Sequence, residues 1–148
     1  MEGGEMSLRL TGSVVLDSSV IIKWFRAHEV LRDQALWIRQ AYLDGNLRIY
    51  APDLLIYEIA NVLRYKPDLD QRKVQQAIGS LYDMGISIVT PSSRLMGRAI
   101  EIAYSHNVTV YDAVFSALAE RVDGAFVTAD EKLVKKLRKL DYVHFLSE

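Results

Sequence analysis

Residues 110–120 read VYDAVFSALAE, and this stretch decides how the rest of the chain is arranged. Val110, Val114, Phe115, Leu118 and Ala119 recur at helical spacing, which predicts an amphipathic helix with that face toward a core. Asp112 falls in its first turn, where the helix dipole favours a carboxylate. From there a carboxylate can also look out of a crevice at a sheet edge. Three further acids are candidates to converge on it: Asp17, Glu58 and Asp130.

On either side, short apolar runs alternate with helical patterns. Ser13–Leu16 (SVVL) reads as a buried parallel strand that ends at Asp17. Ser18 or Ser19 can cap a helix running to about Arg26, so Asp17 is not needed as a cap. Further helices are expected over Glu29–Asp44, closed by Gly45, and over Asp53–Tyr65, with Pro52 in its first turn. Others follow over Asp70–Met84, from Ser92 or Ser93 to His106, and over Asp130–Leu140. Leu47–Ala51, Ile86–Thr90, Ala125–Thr128 and Tyr142–Leu146 read as strands. Strands alternating with helices predict an α/β fold with a mostly parallel sheet. In such sheets ligands bind beyond the carboxyl ends of the strands, so Asp17 and Asp130 belong to one rim.

Half of the 148 residues are hydrophobic and 25% are charged, with a net charge of −1. That suits residues 13–148 forming one domain around a sizeable core. Residues 1–12 carry acids and glycines but no apolar run; they read as a ragged or disordered tail rather than a signal peptide, with Met6 a possible alternative start. The absence of cysteine excludes disulfides, thiolate zinc sites and a thiol nucleophile. No apolar run approaches the ~20 residues of a membrane span, and a cytoplasmic protein is expected. The charge balance argues mildly against nucleic-acid binding, but Lys132, Lys135, Lys136, Arg138 and Lys139 crowd together near the end.

Each acid has an ordinary explanation. Asp17 can be a helix cap. Thr109-x-x-Asp112 resembles a capping box, and Thr128-x-x-Glu131 does so beside Asp130. Glu58 is the least ordinary, because in LLIYEIANVL it shares a helix face with Leu54, Leu55 and Val62. A buried carboxylate is costly unless an arginine, a hydrogen-bond network or a metal compensates. Four acids at strand ends and neighbouring helix faces repel one another, and carboxylates with water suit Mg²⁺ or Mn²⁺.

The segments VVLDSSVIIKWF, YEIANVL, YDAVFSALAE and FVTADEKL, in this order and spacing, resemble a PIN-domain ribonuclease of the VapC type found in toxin–antitoxin systems. The resemblance runs from about Ser13 to Phe145. It implies a three-layer α/β/α architecture and a metal-dependent endoribonuclease. Asp17, Glu58, Asp112 and Asp130 fall on the family's acidic metal-binding and catalytic positions. Ser18, Asn61 and Thr128 fall beside them as supporting residues. The resemblance further implies an RNA substrate, a homodimer and a small cognate antitoxin.

The implied chemistry is hydrolysis of a phosphodiester by water activated at one or two Mg²⁺ or Mn²⁺ ions, leaving 5′-phosphate and 3′-hydroxyl ends. His28, His106 and His144 lie far apart, which argues against a histidine mechanism. Lys132, Lys135 and Lys136 are candidate contacts to RNA phosphates, with a solvated helix face as the alternative. Lys23, Arg26 and Arg94 are weaker candidates, and Trp24, Phe25 and Trp37 are expected in the core. One alternative is a catalytically silent PIN-like binding scaffold. The other, a phosphoacceptor signalling domain, needs an acid pair after the first strand, an Asp after the third and a Lys after the last. The segments LDSS, IVTPSS and HFLSE meet none of these.

Overall fold

Five short apolar runs pair into one sheet: β1 (Gly12–Leu16), β2 (Leu47–Pro52), β3 (Ser87–Val89), β4 (Ala125–Thr128) and β5 (Val143–Phe145). A computed structural model of the chain describes residue 10 and residues 12–147. The expected N-terminal tail, residues 1–12, lies outside the described residues except for Leu10, which is buried, and Gly12, which pairs with Leu47. Every strand pair is parallel, in the order β3-β2-β1-β4-β5. Helices cover the sheet in a three-layer α/β/α arrangement. The strand order differs from the 2-1-3-4-5 order of the phosphoacceptor fold.

The helices are α1 (Ser18–Ile21), α2 (Arg32–Leu43), α3 (Leu54–Arg64), α4 (Gln71–Asp83), α5 (Ser93–His106), α6 (Val110–Arg121) and α7 (Glu131–Lys136). The expected helix after β1 is shorter than its pattern suggested, passing into a 3₁₀ turn over Ile22–Trp24. The helix expected from Glu29 starts at Arg32, because His28 and Leu31 take left-handed backbone conformations. Pro52 ends β2 instead of opening α3. The basic C-terminal helix ends at Lys136 rather than Leu140; Leu137 caps it and turns fully into the core.

The stretch 110–120 is indeed helical, but it is not amphipathic. Every residue from Ala113 to Ala119 is buried. α6 lies against β1, β2 and β4 and is covered on its other side by α5. The large residues Val114, Phe115 and Leu118 are matched by Ala113, Ser116, Ala117 and Ala119, whose small side chains let neighbours come close on the remaining sides. Phe115 stacks on Phe126 of β4, with ring centroids 6.0 Å apart. In the turn between α6 and β4, a Cβ on Gly124 would strike the carbonyl of Ser13, so only glycine lets β1 lie this close.

This topology positions the site. From β1 the chain steps outward to β2 and β3, then returns to add β4 and β5 on the other side. The order therefore reverses between β1 and β4, which opens a crevice at their carboxyl ends. Leu16 pairs with Val127, so Asp17 and Thr128 emerge side by side.

Candidate active site

Asp17 is 8% exposed at the mouth of that crevice. Of the possible caps Asp17, Ser18 and Ser19, it is Asp17 that caps α1: its Oδ1 accepts the Ser19 amide at 3.1 Å and also the Ser19 hydroxyl. Its Oδ2 accepts the Thr128 hydroxyl at 2.6 Å. Ser19 Oγ in turn accepts the Ala129 amide at 2.9 Å, and Thr128 Oγ1 accepts the Asp130 amide at 3.1 Å. This network laces the end of β1 to the end of β4 and holds one carboxylate in a fixed orientation. Burial pushes the Asp17 carboxyl up to about 6, against the pull of its Ser19 and Thr128 hydrogen bonds.

Glu58 projects from α3 and Asp112 from the first turn of α6, both half-buried. Desolvation first, and then the charge of Asp17, push Glu58 up to about 7, while a hydrogen bond to Ser18 opposes the rise. Desolvation also raises Asp112; Thr109 and Lys136 oppose this and Asp130 adds to it. Asp112 in turn raises both Asp17 and Glu58. Three carboxylates from β1, α3 and α6 therefore lie within one another's fields. Asp130 stands further out: it is exposed, and its Oδ1 caps α7 by accepting the Leu133 amide at 3.1 Å. The capping box expected from Thr128 to Glu131 is not formed, because Thr128 is turned toward Asp17 instead.

Among the described residues, no group of three or more His, Cys, Asp or Glu side chains is drawn together into a cage that could hold a metal ion as the side chains stand. The donor chemistry nevertheless suits a hard divalent cation. Asp17, Glu58 and Asp112 offer only carboxylate oxygens, and among the described residues no salt bridge to Lys or Arg neutralises them. Oδ1 of Asp17 already accepts two hydrogen bonds, but Oδ2 accepts one and keeps a second lone pair.

The other candidate residues separate clearly. Ser18 partners Glu58, whereas Asn61 is exposed one turn further along α3. Lys132 and Lys136 line a cleft with Asn107, Thr109, Asp112 and Asp130, and Lys135 does not. Lys23 is buried against Glu29, and Arg26 is held by Glu29 and Asp68. Arg94 faces a different hollow, lined by Arg98, Glu120 and Arg121. Trp24 is in the core and Phe25 packs on it, but Trp37 is 39% exposed, against expectation. None of the three histidines is among the residues that line this cleft. Ser19, read from sequence only as a possible cap, joins the two strand ends together with Thr128; its D-x-S spacing to Asp17 is the one local sign of it.

Residues 14–139 match the family model of the PIN domain. The chain is 28% identical over 131 residues to ribonuclease VapC3 of Pyrobaculum aerophilum, covering 86% of this chain and 96% of that protein. It superposes on Mycobacterium tuberculosis VapC20, a sarcin–ricin loop cleaving toxin, with a TM-score of 0.64 at 12% identity over 82% of this chain and 93% of that one. Against the VapBC2 structure of Rickettsia felis, bound to a DNA fragment from its promoter, the TM-score is 0.66 at 11% identity, covering 90% of this chain and 96% of that one. Among the described residues, no helix is long and apolar enough to cross a membrane.

Proposed function

We propose, from the premise that this chain belongs to the PIN domain family, that it is a divalent-metal-dependent endoribonuclease and the toxin of a toxin–antitoxin pair. The observation that supports the reading is that Asp17, held at the point where the strand order reverses, lies within the electrostatic reach of Glu58 and Asp112, with none of the three in a salt bridge among the described residues. Such a concentration of unneutralised acid repels an RNA backbone and calls for a cation. The similarity to ribonuclease VapC3 supports RNA as the substrate. The likeness to structures that hold toxin and antitoxin together supports a small antitoxin as partner, and we infer a homodimer as the working assembly. A cytoplasmic location is proposed with this reading.

In this reading Asp17, Glu58 and Asp112 hold one or two Mg²⁺ or Mn²⁺ ions, with Asp130 completing the site from its outer edge. A bound divalent cation supplies an acidified water and neutralises charge on the phosphoryl oxygens. The protein residues do the positioning. Thr128 and Ser19 fix the Asp17 carboxylate and leave its Oδ2 with one lone pair to give to a ligand. Ser18 restrains Glu58. The buried strand ends keep bulk water from the inner side, which strengthens each of these interactions.

The test is cleavage of single-stranded RNA by the purified protein in millimolar Mn²⁺, in chelator, and with the Asp17→Asn variant. Metal-dependent products with 5′-phosphate and 3′-hydroxyl ends, lost in Asp17→Asn, are expected. Cyclic phosphate ends would rule out the hydrolytic route, and cleavage that survives in both chelator and Asp17→Asn would rule out the metal site. Metal binding without RNA cleavage would favour the silent scaffold.

A further inference from the structure

The acidic crevice is not alike on its two sides. Toward α7 it opens into a cleft lined by Asn107, Thr109, Asp112, Asp130, Lys132 and Lys136. Beside the neighbours of Asp112, a second hollow is lined by the mainly apolar Pro52, Leu54, Pro91, Met96, Val110 and Tyr111. A polyanion crossing the acids into that cleft therefore meets the charges of Lys132 and Lys136.

Lys132 and Lys136 are one helical turn apart on α7, so their ammonium groups rise from the same face. Both are exposed, and among the described residues neither is held in a salt bridge. Lys136 reaches toward the acids closely enough for its charge to act on Asp112. Asp130 caps the helix through Leu133 and so fixes the lysines relative to the crevice. Lys135, equally charged and also exposed, lies outside the cleft.

Resting on the ribonuclease reading above, we propose that Lys132 and Lys136 hold the RNA backbone phosphates on one side of the scissile bond, so that the strand leaves the acids along the cleft between α7 and the Asn107–Thr109 turn. Phosphate contacts set the register of a strand without reading its bases. Asn107 and Thr109 supply hydrogen-bonding groups on the opposite wall, so the strand is gripped from both sides.

The experiment uses the full chain and a single-stranded RNA oligonucleotide, with binding measured in chelator so that no cleavage intervenes. The Lys132→Gln/Lys136→Gln double variant is compared with Lys135→Gln over a series of salt concentrations. The double variant is expected to bind at least tenfold more weakly. Its slope of log affinity against log salt should be shallower by about 1.4, at about 0.7 for each single-strand phosphate that a lysine no longer neutralises. Lys135→Gln should bind within twofold of the unmodified protein. With Mn²⁺ restored, the double variant should cut at the same positions at a lower kcat/KM. Equal losses in the two variants would show only a general charge effect and would overturn the assignment, as would an unchanged slope in the double variant. If the unmodified protein cleaves RNA while the double variant binds it normally, this inference alone fails. If the unmodified protein neither binds nor cleaves RNA, the ribonuclease reading fails with it.

Discussion

Thr128 donates a 2.6 Å hydrogen bond to Oδ2 of Asp17, joining two residues that lie 111 positions apart and terminate adjacent strands. Thr128 is fully buried, and the same hydroxyl oxygen accepts the Asp130 amide. One side chain thus orients the first acid and anchors the turn that carries the last. Thr128→Val keeps the shape and removes both bonds. It should lower the unfolding free energy by about 1–3 kcal/mol, the cost of leaving buried polar groups unpaired. Urea denaturation checks this; an unchanged midpoint would mean that Asp17 does not depend on Thr128.

The metal-free protein should lose stability as pH rises through the weakly acidic range. Asp17 and Glu58 have folded pKa values raised from 3.8 and 4.5 to about 6 and about 7. The folded state then binds more protons than the unfolded one between those limits, so the slope of stability against pH is negative there. Their favourable contribution is fully present below about pH 4 and lost as pH passes 7. Melting curves in chelator from pH 4.5 to 8 should show a falling Tm from this pair, with Asp112 acting in the same direction and Lys136 opposing it.

Glu58→Gln removes a charge that is destabilising without metal. Its Tm in chelator at pH 8 should exceed that of the unmodified protein. Millimolar Mn²⁺ should raise the Tm of the unmodified protein by several degrees, since a ligand at ~100 times its dissociation constant adds about 2.7 kcal/mol. The variant should respond less. A variant that melts lower in chelator would show Glu58 to be a structural partner of a basic group.

Tyr142→Phe should separate stability from catalysis. Its hydroxyl lies 2.7 Å from that of buried Ser116 and donates to Glu120 at 2.6 Å, and Glu120 is paired with Arg98 at 2.8 Å. This network braces α5, α6 and the start of β5 at the end of α6 away from Asp112, eight residues and about 12 Å along the helix. The variant should lose about 1–2 kcal/mol and retain the RNA-cleaving rate of the folded protein.

The strands and the polarity of the sheet were legible because buried parallel strands leave short apolar runs, and Ala125–Thr128 falls where its pattern places it. Asp17 and Asp112 stood out for a related reason: a strand end and a first helical turn are positions that sequence marks. Ser19 did not, because its bond to the Ala129 amide exists only once β4 has docked against β1. The all-round burial of α6 was hidden by its alanines and Ser116, which look indifferent in sequence but allow close packing. The early end of α7 depends on Leu137 turning into the core, a tertiary preference that overrides helix-forming neighbours. The side-by-side lysines were visible as a cluster, but only the fold separates Lys132 and Lys136 from Lys135.

The proposed hydrolysis at this crevice requires that Asp17, Glu58 and Asp112 hold a cation. A crystal of the protein soaked in Mn²⁺ tests this without any assay of activity, because the anomalous signal locates the ion in the electron density. A peak is expected within coordination distance of the Asp17 carboxylate, shared with Asp112 and Glu58, and lost in Asp112→Asn. A peak elsewhere, or none between the three carboxylates at millimolar Mn²⁺, would contradict the metal site.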